Sequence, residues 1–124
     1  MSDIRFGTDG WRGVIAEEFT FDAVRLAARA IGRRVRAEAG DGAAVLVGYD
    51  TRFLSREFAR AAAESLAAEG ASVALAGRFA PTPALSYAVV ARKACCGVVI
   101  TASHNPARYN GLKIKAAFGG SAPL

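Results

Sequence analysis

Three short, valine-rich apolar runs, spaced by stretches with helical periodicity, restrict this chain to one class of architecture. Residues 43–49, 71–75 and 97–101 are apolar, too short for ordinary helices and flanked by glycines, the pattern of strands buried in a layered sheet. Between and before them the period changes. Phe21, Val24, Ala28, Ile31 and Val35 mark one face of a helix over residues 21–39, while Arg25, Arg29, Arg33 and Arg36 fall largely elsewhere. Thr20 is its candidate cap, and Asp22 lies near the positive end of its dipole. A second helix, capped by Ser55 and running to about residue 69, turns Phe58, Ala62 and Leu66 inward. A third, over about 83–93, has proline near its first turn. Residues 112–115 alternate apolar and basic, as a half-buried strand does. Helix, strand, helix, strand, helix, strand, loop, strand predicts an α/β layered domain.

The chain has 124 residues, enough for one domain with a real core. Its hydrophobic fraction of 52% argues against disorder. The net charge of +5 suits an anionic partner: a phosphorylated metabolite, a nucleic acid, or simply solvent around the arginine-rich helices. Adjacent Cys95 and Cys96 have neither a disulfide framework nor a chelating spacing. They read as small core or near-core residues in a reducing compartment. The amino terminus shows no secretory apolar region, and no apolar run approaches membrane-spanning length.

Polar residues collect at two places where strands end. Between the apolar run 97–101 and the alternating run 112–115 lie Ser103, His104, Asn105, Arg108, Tyr109 and Asn110, with no acid from Ser103 to Lys115. Loops beyond the carboxyl ends of strands are where open α/β sheets bind ligands. A serine in such a loop is usually just a loop residue, but backbone amides around it can hold phosphate oxygens. His104, the one histidine, fits a loop residue orienting local hydrogen bonds better than a Ser-His-Asp hydrolase, since the nucleophile elbow is missing. Asn105 precedes proline, so a structural hydrogen bond competes there with a ligand contact. Lys113 and Lys115 share a strand face, and Asn110-Gly111 reads as a turn signal. The second polar loop, residues 7–13, offers Thr8, Asp9, Trp11 and Arg12; Trp11 fits either the core or a pocket wall. Residues 4–6 read as a short strand before it, and Val14-Ile15 as another after it. Asp50 and Arg52, after the second long strand, can approach the same sheet edge or form a local pair.

These motifs resemble the α-D-phosphohexomutases, a family that includes phosphoglucomutase, phosphomannomutase and phosphoglucosamine mutase. The match rests on Phe6-Gly7-Thr8-Asp9-Gly10-Trp11-Arg12-Gly13, Thr101-Ala102-Ser103-His104-Asn105-Pro106 and Asn110-Gly111-Leu112-Lys113, with Asp50-Thr51-Arg52 and Thr82-Pro83 in agreement. The resemblance implies a mixed, mostly parallel β-sheet flanked by helices, its final strand antiparallel. It implies phosphate transfer between the 1- and 6-positions of a hexose through a bisphosphorylated sugar. By this resemblance Ser103 carries the transferable phosphate, His104 supports it, Lys113 assists proton transfer, and Arg12 lies near the phosphate. Thr8, Arg12, Asn105, Arg108 and Lys113 are the expected phosphate or substrate contacts. The implied cofactors are Mg²⁺, joined to this chain through the Ser103 phosphate, and a hexose 1,6-bisphosphate activator. The aspartate loop of D-G-D-x-D-R type that completes the metal site in the family is absent from the sequence. Residues 1–124 are therefore expected to be a single domain resembling the family's first, cut near its C-terminal end, with the remaining domains as its partners. The parent enzyme is expected in the cytoplasm, without nucleic-acid or membrane partners, and the fragment alone is expected to be inactive. A non-catalytic sugar-phosphate-binding or structural fragment is the competing reading; a nucleic-acid-binding domain has only the charge in its favour.

Overall fold

The computed structural model describes residues 10–102, 105–117 and 119–120. The expected strand at 4–6 and the positions of Thr8, Asp9, Ser103 and His104 lie outside the described residues. Five strands, β1 (Trp11–Val14), β2 (Ala44–Tyr49), β3 (Ser72–Leu75), β4 (Cys96–Ile100) and β5 (Tyr109–Ala116), form one sheet in the order β1-β5-β4-β2-β3. Strands β4, β2 and β3 run parallel, whereas β5 is antiparallel to both β4 and β1. The sheet is thus mixed, as the resemblance implies.

Three helices cover it: α1 (Phe21–Ala39), α2 (Ser55–Ala68) and α3 (Thr82–Ala91). Helix α1 has its expected bounds because both ends are encoded locally. The Thr20 hydroxyl accepts the Ala23 amide at 3.1 Å, and Gly40, at φ 84°, stops the helix. The other helices differ at their caps. Ser55 is the first residue of α2, after Leu54 in a left-handed conformation, and gives its hydroxyl to Asp50 instead of capping. Helix α3 begins at Thr82, one residue before its expected start, with Pro81 at its cap position and no side-chain cap bond.

The strand period of two sorts the core into two layers. Val45, Val47, Val98, Ile100 and Leu112 face α1 and α2. There Trp11, Phe19, Phe58 and Phe21 form a chain of ring contacts with centroids 4.4–4.8 Å apart. Trp11, only 3% exposed, therefore belongs to the core. On the opposite face Leu46 and Val99 meet Leu85 and Val89 of α3. Helix α3 lies close because Gly48 and Gly97 carry no side chain: a Cβ on Gly97 would stand 2.7 Å from Val89.

The connections locate the functional end of the sheet. From β2 the chain passes through α2 outward to the edge strand β3, then returns through α3 to β4 on the other side of β2. The carboxyl ends of β2 and β4 therefore flank a topological switch point, where α/β sheets open a binding crevice. The loops after Tyr49 and Ile100 both start there, linked by the Asp50 amide donating to the Ile100 carbonyl at 3.2 Å.

Candidate functional site

Beyond Ile100 the chain leaves the sheet and comes back as β5. Its exit is fixed by the Thr101 amide, which donates to the Gly111 carbonyl at 2.9 Å. Its return is a turn in which the Asn105 amide donates to the Ala102 carbonyl at 3.1 Å and the Tyr109 amide to the Pro106 carbonyl at 2.9 Å. Strand β5 starts at Tyr109, so Asn110 and Gly111 lie within a strand and are not a turn. The reason is nonlocal. Asn110 is fully buried, and its Nδ2 donates to the Ser55 hydroxyl at 2.9 Å. Gly111 lies between two backbones, where a Cβ would stand 2.6 Å from the Trp11 carbonyl and 2.8 Å from the Thr101 carbonyl.

Gly111 also makes room for Arg12, its partner across the β1–β5 ladder. The Arg12 side chain passes over the bare glycine, with Cγ 2.9 Å from where a Cβ would sit. Its Nη1 then donates to the Asn105 Oδ1 at 2.8 Å. Residues 11–13, expected in the second polar loop, thus lie in β1, and Arg12 joins that strand side chain to side chain with Asn105, 93 residues away in sequence. Lys113 pairs with Val99, whose side chain faces α3. Lys113, Gly111 and Arg12 accordingly share that face of the sheet, and Lys113 is 7% exposed. The Arg108 guanidinium lies 5.3 Å from the centre of the Tyr109 ring.

Behind the turn stands a group that sequence reasoning placed only near the sheet edge. The Arg52 Nη2 donates to the Asn105 carbonyl at 2.7 Å, and Nη1 donates to the carbonyls of Pro106 at 2.9 Å and Tyr109 at 3.1 Å. On its other side the guanidinium faces Asp50, with Nε 3.5 Å from Oδ2. Asp50 is held in turn by the Arg52 amide at 3.0 Å and the Ser55 hydroxyl at 2.7 Å, both on Oδ1. The sequence signals are an acid and an arginine two residues apart at a strand end and the agreement of Asp50-Thr51-Arg52 with the resembled family.

This arrangement places the cationic side chains of Arg12 and Lys113 on one face of the sheet, where they suit an anion. It does not offer a metal cage: among the described residues no group of three or more His, Cys, Asp or Glu side chains can hold a metal ion. The described residues therefore do not by themselves fit a Mg²⁺ site.

Residues 3–124 match the family described as phosphoglucomutase/phosphomannomutase, alpha/beta/alpha domain I. Among curated relatives, the phosphoglucosamine mutase of Hahella chejuensis is 43% identical over 124 residues, covering 99% of this chain and 27% of that protein. The phosphoglucosamine mutase of Frankia casuarinae is 47% identical over 122 residues, covering 92% of this chain and 26% of that protein. The crystal structure of a protein assigned as a phosphomannomutase from Thermus thermophilus superposes with a TM-score of 0.94 at 50% identity, over 100% of this chain and 28% of that one. The chain thus spans about a quarter of the length of the relatives it matches.

Proposed function

Because this chain belongs to the phosphoglucomutase/phosphomannomutase family as its α/β/α domain I, we propose that it supplies the phosphate-donor part of an enzyme that interconverts hexose 1-phosphates and hexose 6-phosphates. The observation that carries this reading is the Arg12–Asn105 hydrogen bond, which ties β1 to the turn between β4 and β5 on the face that also bears Lys113. Ser103, two residues before Asn105, is the proposed phosphate carrier. In the first half-reaction a sugar hydroxyl attacks the phosphorus of phosphoserine. A new P–O bond to the sugar forms as the bond to the Ser103 Oγ breaks, and the hydroxyl proton passes by way of a base, the role proposed for Lys113, to the departing Oγ. In the second, the Ser103 Oγ attacks the phosphorus at the other sugar position, the P–O bond to the sugar breaks, and the Ser103 hydroxyl proton passes by way of the same base to the departing sugar oxygen.

Such transfer depends on alignment and on offsetting the charge of the phosphoryl oxygens. Arg12 contributes a fixed positive charge near Asn105. His104 is proposed to support the phosphoserine, and Thr8, Asn105 and Arg108 to contact phosphate or substrate. Mg²⁺ would add charge neutralisation, with this chain contributing only the Ser103 phosphate and the remaining ligands coming from further domains. A hexose 1,6-bisphosphate would load Ser103. Phosphorylated sugars as substrates and the two free thiols fit the cytoplasm, and among the described residues no helix is long and apolar enough to cross a membrane.

The test is the full-length protein assayed with the 1-phosphates of glucosamine, glucose and mannose in the presence of the matching bisphosphate. Turnover of at least one of them is expected, with near-complete loss in Ser103→Ala. Unchanged turnover in that variant would remove Ser103 from the reaction.

A further inference from the structure

We propose that Arg52 is a positioning residue for phosphoryl transfer: it acts through the carbonyls of residues 105–109 to hold Asn105 where Arg12 meets it. The inference rests on the functional reading above. Three carbonyls from one turn converge on a single guanidinium at 2.7–3.1 Å. The bonds to the Asn105 and Tyr109 carbonyls are partly buried, where a backbone acceptor needs a donor, and Pro106 removes one amide from this turn. The Arg52 side chain is 14% exposed, so its charge is largely withdrawn from water and depends on these acceptors and on Asp50.

The anchor is independent of the loop it holds. Arg52 projects from the end of β2, with Asp50 behind it, and Asp50 is locked to the start of α2 through Ser55. The clamp therefore refers the position of Asn105 to the rigid centre of the sheet. Asn105 has two such references, Arg52 on its carbonyl and Arg12 on its side chain. Lysine cannot replace this arrangement, because a compact ammonium lacks the planar fork that reaches three acceptors together. A displacement of about 1 Å at a reacting centre can cost roughly a hundredfold in rate.

The experiment compares Arg52→Lys and Asp50→Asn with the wild type in the full-length protein, by amide hydrogen exchange and by steady-state kinetics. In Arg52→Lys the Asn105 and Tyr109 amides are expected to exchange at least about tenfold faster while Val98, Val99 and Ile100 keep their protection. The kcat is expected to fall about ten- to a hundredfold, with KM for the hexose 1-phosphate changed by less than about threefold. Asp50→Asn, which weakens the rear contact and keeps the fork, is expected to show smaller changes in the same direction. Wild-type exchange at Asn105 and Tyr109 in both variants overturns the proposal. So does faster exchange with unchanged kcat, or loss of protection spread equally over β4, which would mark a merely structural role. If the wild type shows no turnover, or Ser103→Ala keeps it, the functional reading fails, and the exchange measurement alone still decides whether Arg52 holds the turn.

Discussion

Cys96 opens β4 beside the last turns of α1, and its surroundings make it a poor nucleophile. Burial pushes its thiol from the ordinary 9.0 up to about 11, with the neighbouring Cys95 and Glu38 adding to the shift. The folded value lies above the unfolded one, so the stabilising contribution is complete below pH 9 and disappears as pH rises towards 11. Wild-type protein should lose on the order of 2–3 kcal/mol more than Cys96→Ala between those limits. Urea unfolding of the two proteins from about pH 7 to about pH 11 measures this, and parallel curves would contradict it. Native-state alkylation at about pH 8 should be correspondingly slow at Cys96, about a hundredfold below a thiol with ordinary acidity.

At the scale of elements, the sheet and α2 are joined at the functional end by a buried polar link. Asn110 of β5 donates to Ser55 at the start of α2, and Ser55 donates to Asp50 beyond the end of β2. Both Asn110 and Ser55 are fully buried. Removing Ser55 leaves the Asn110 amide nitrogen with only the Phe53 carbonyl at 3.4 Å, and removing Asn110 leaves the Ser55 hydroxyl with Asp50 alone, each at a cost of about 1–3 kcal/mol. Ser55→Ala and Asn110→Ala should each destabilise by that amount, and the double variant should cost less than their sum by at least about 0.5 kcal/mol. Denaturant melts of all four proteins complete the cycle, and strict additivity would show that the hydroxyl and the amide do not act as a pair. The same link explains why α2 begins as it does: with its hydroxyl committed to Asp50, Ser55 is not available as a cap, and the chain enters the helix through left-handed Leu54.

At the scale of the molecule, residues 1–124 hold cations and the proposed phosphate carrier, but no metal cage among the described residues. The purified 1–124 polypeptide is therefore expected not to isomerise hexose phosphates at an enzyme-like rate, because a donor without walls, metal ligands or a second phosphate site lacks the alignment that transfer needs. Assayed beside the full-length protein on the same sugars, robust turnover by 1–124 that disappears in Ser103→Ala would refute this. What the sequence determined by itself is whatever neighbours in the chain decide. The bounds of α1 follow from Thr20, a helical period and Gly40, and the central strands follow from short valine-rich runs. The motifs around Arg12 and residues 101–106 also pointed to the family that the match over residues 3–124 establishes. Tertiary structure alone decided the rest. Asn110-Gly111 has the local character of a turn, yet it lies in β5 because Trp11 and Thr101 press on Gly111 and Ser55 binds Asn110. Arg52 looks locally like half of an ion pair, yet its fork closes on carbonyls 53 to 57 residues away. Local sequence sets backbone preference and periodicity, whereas a buried polar group takes whichever partner the packed fold brings within reach, and that partner is chosen by the topology of the whole sheet.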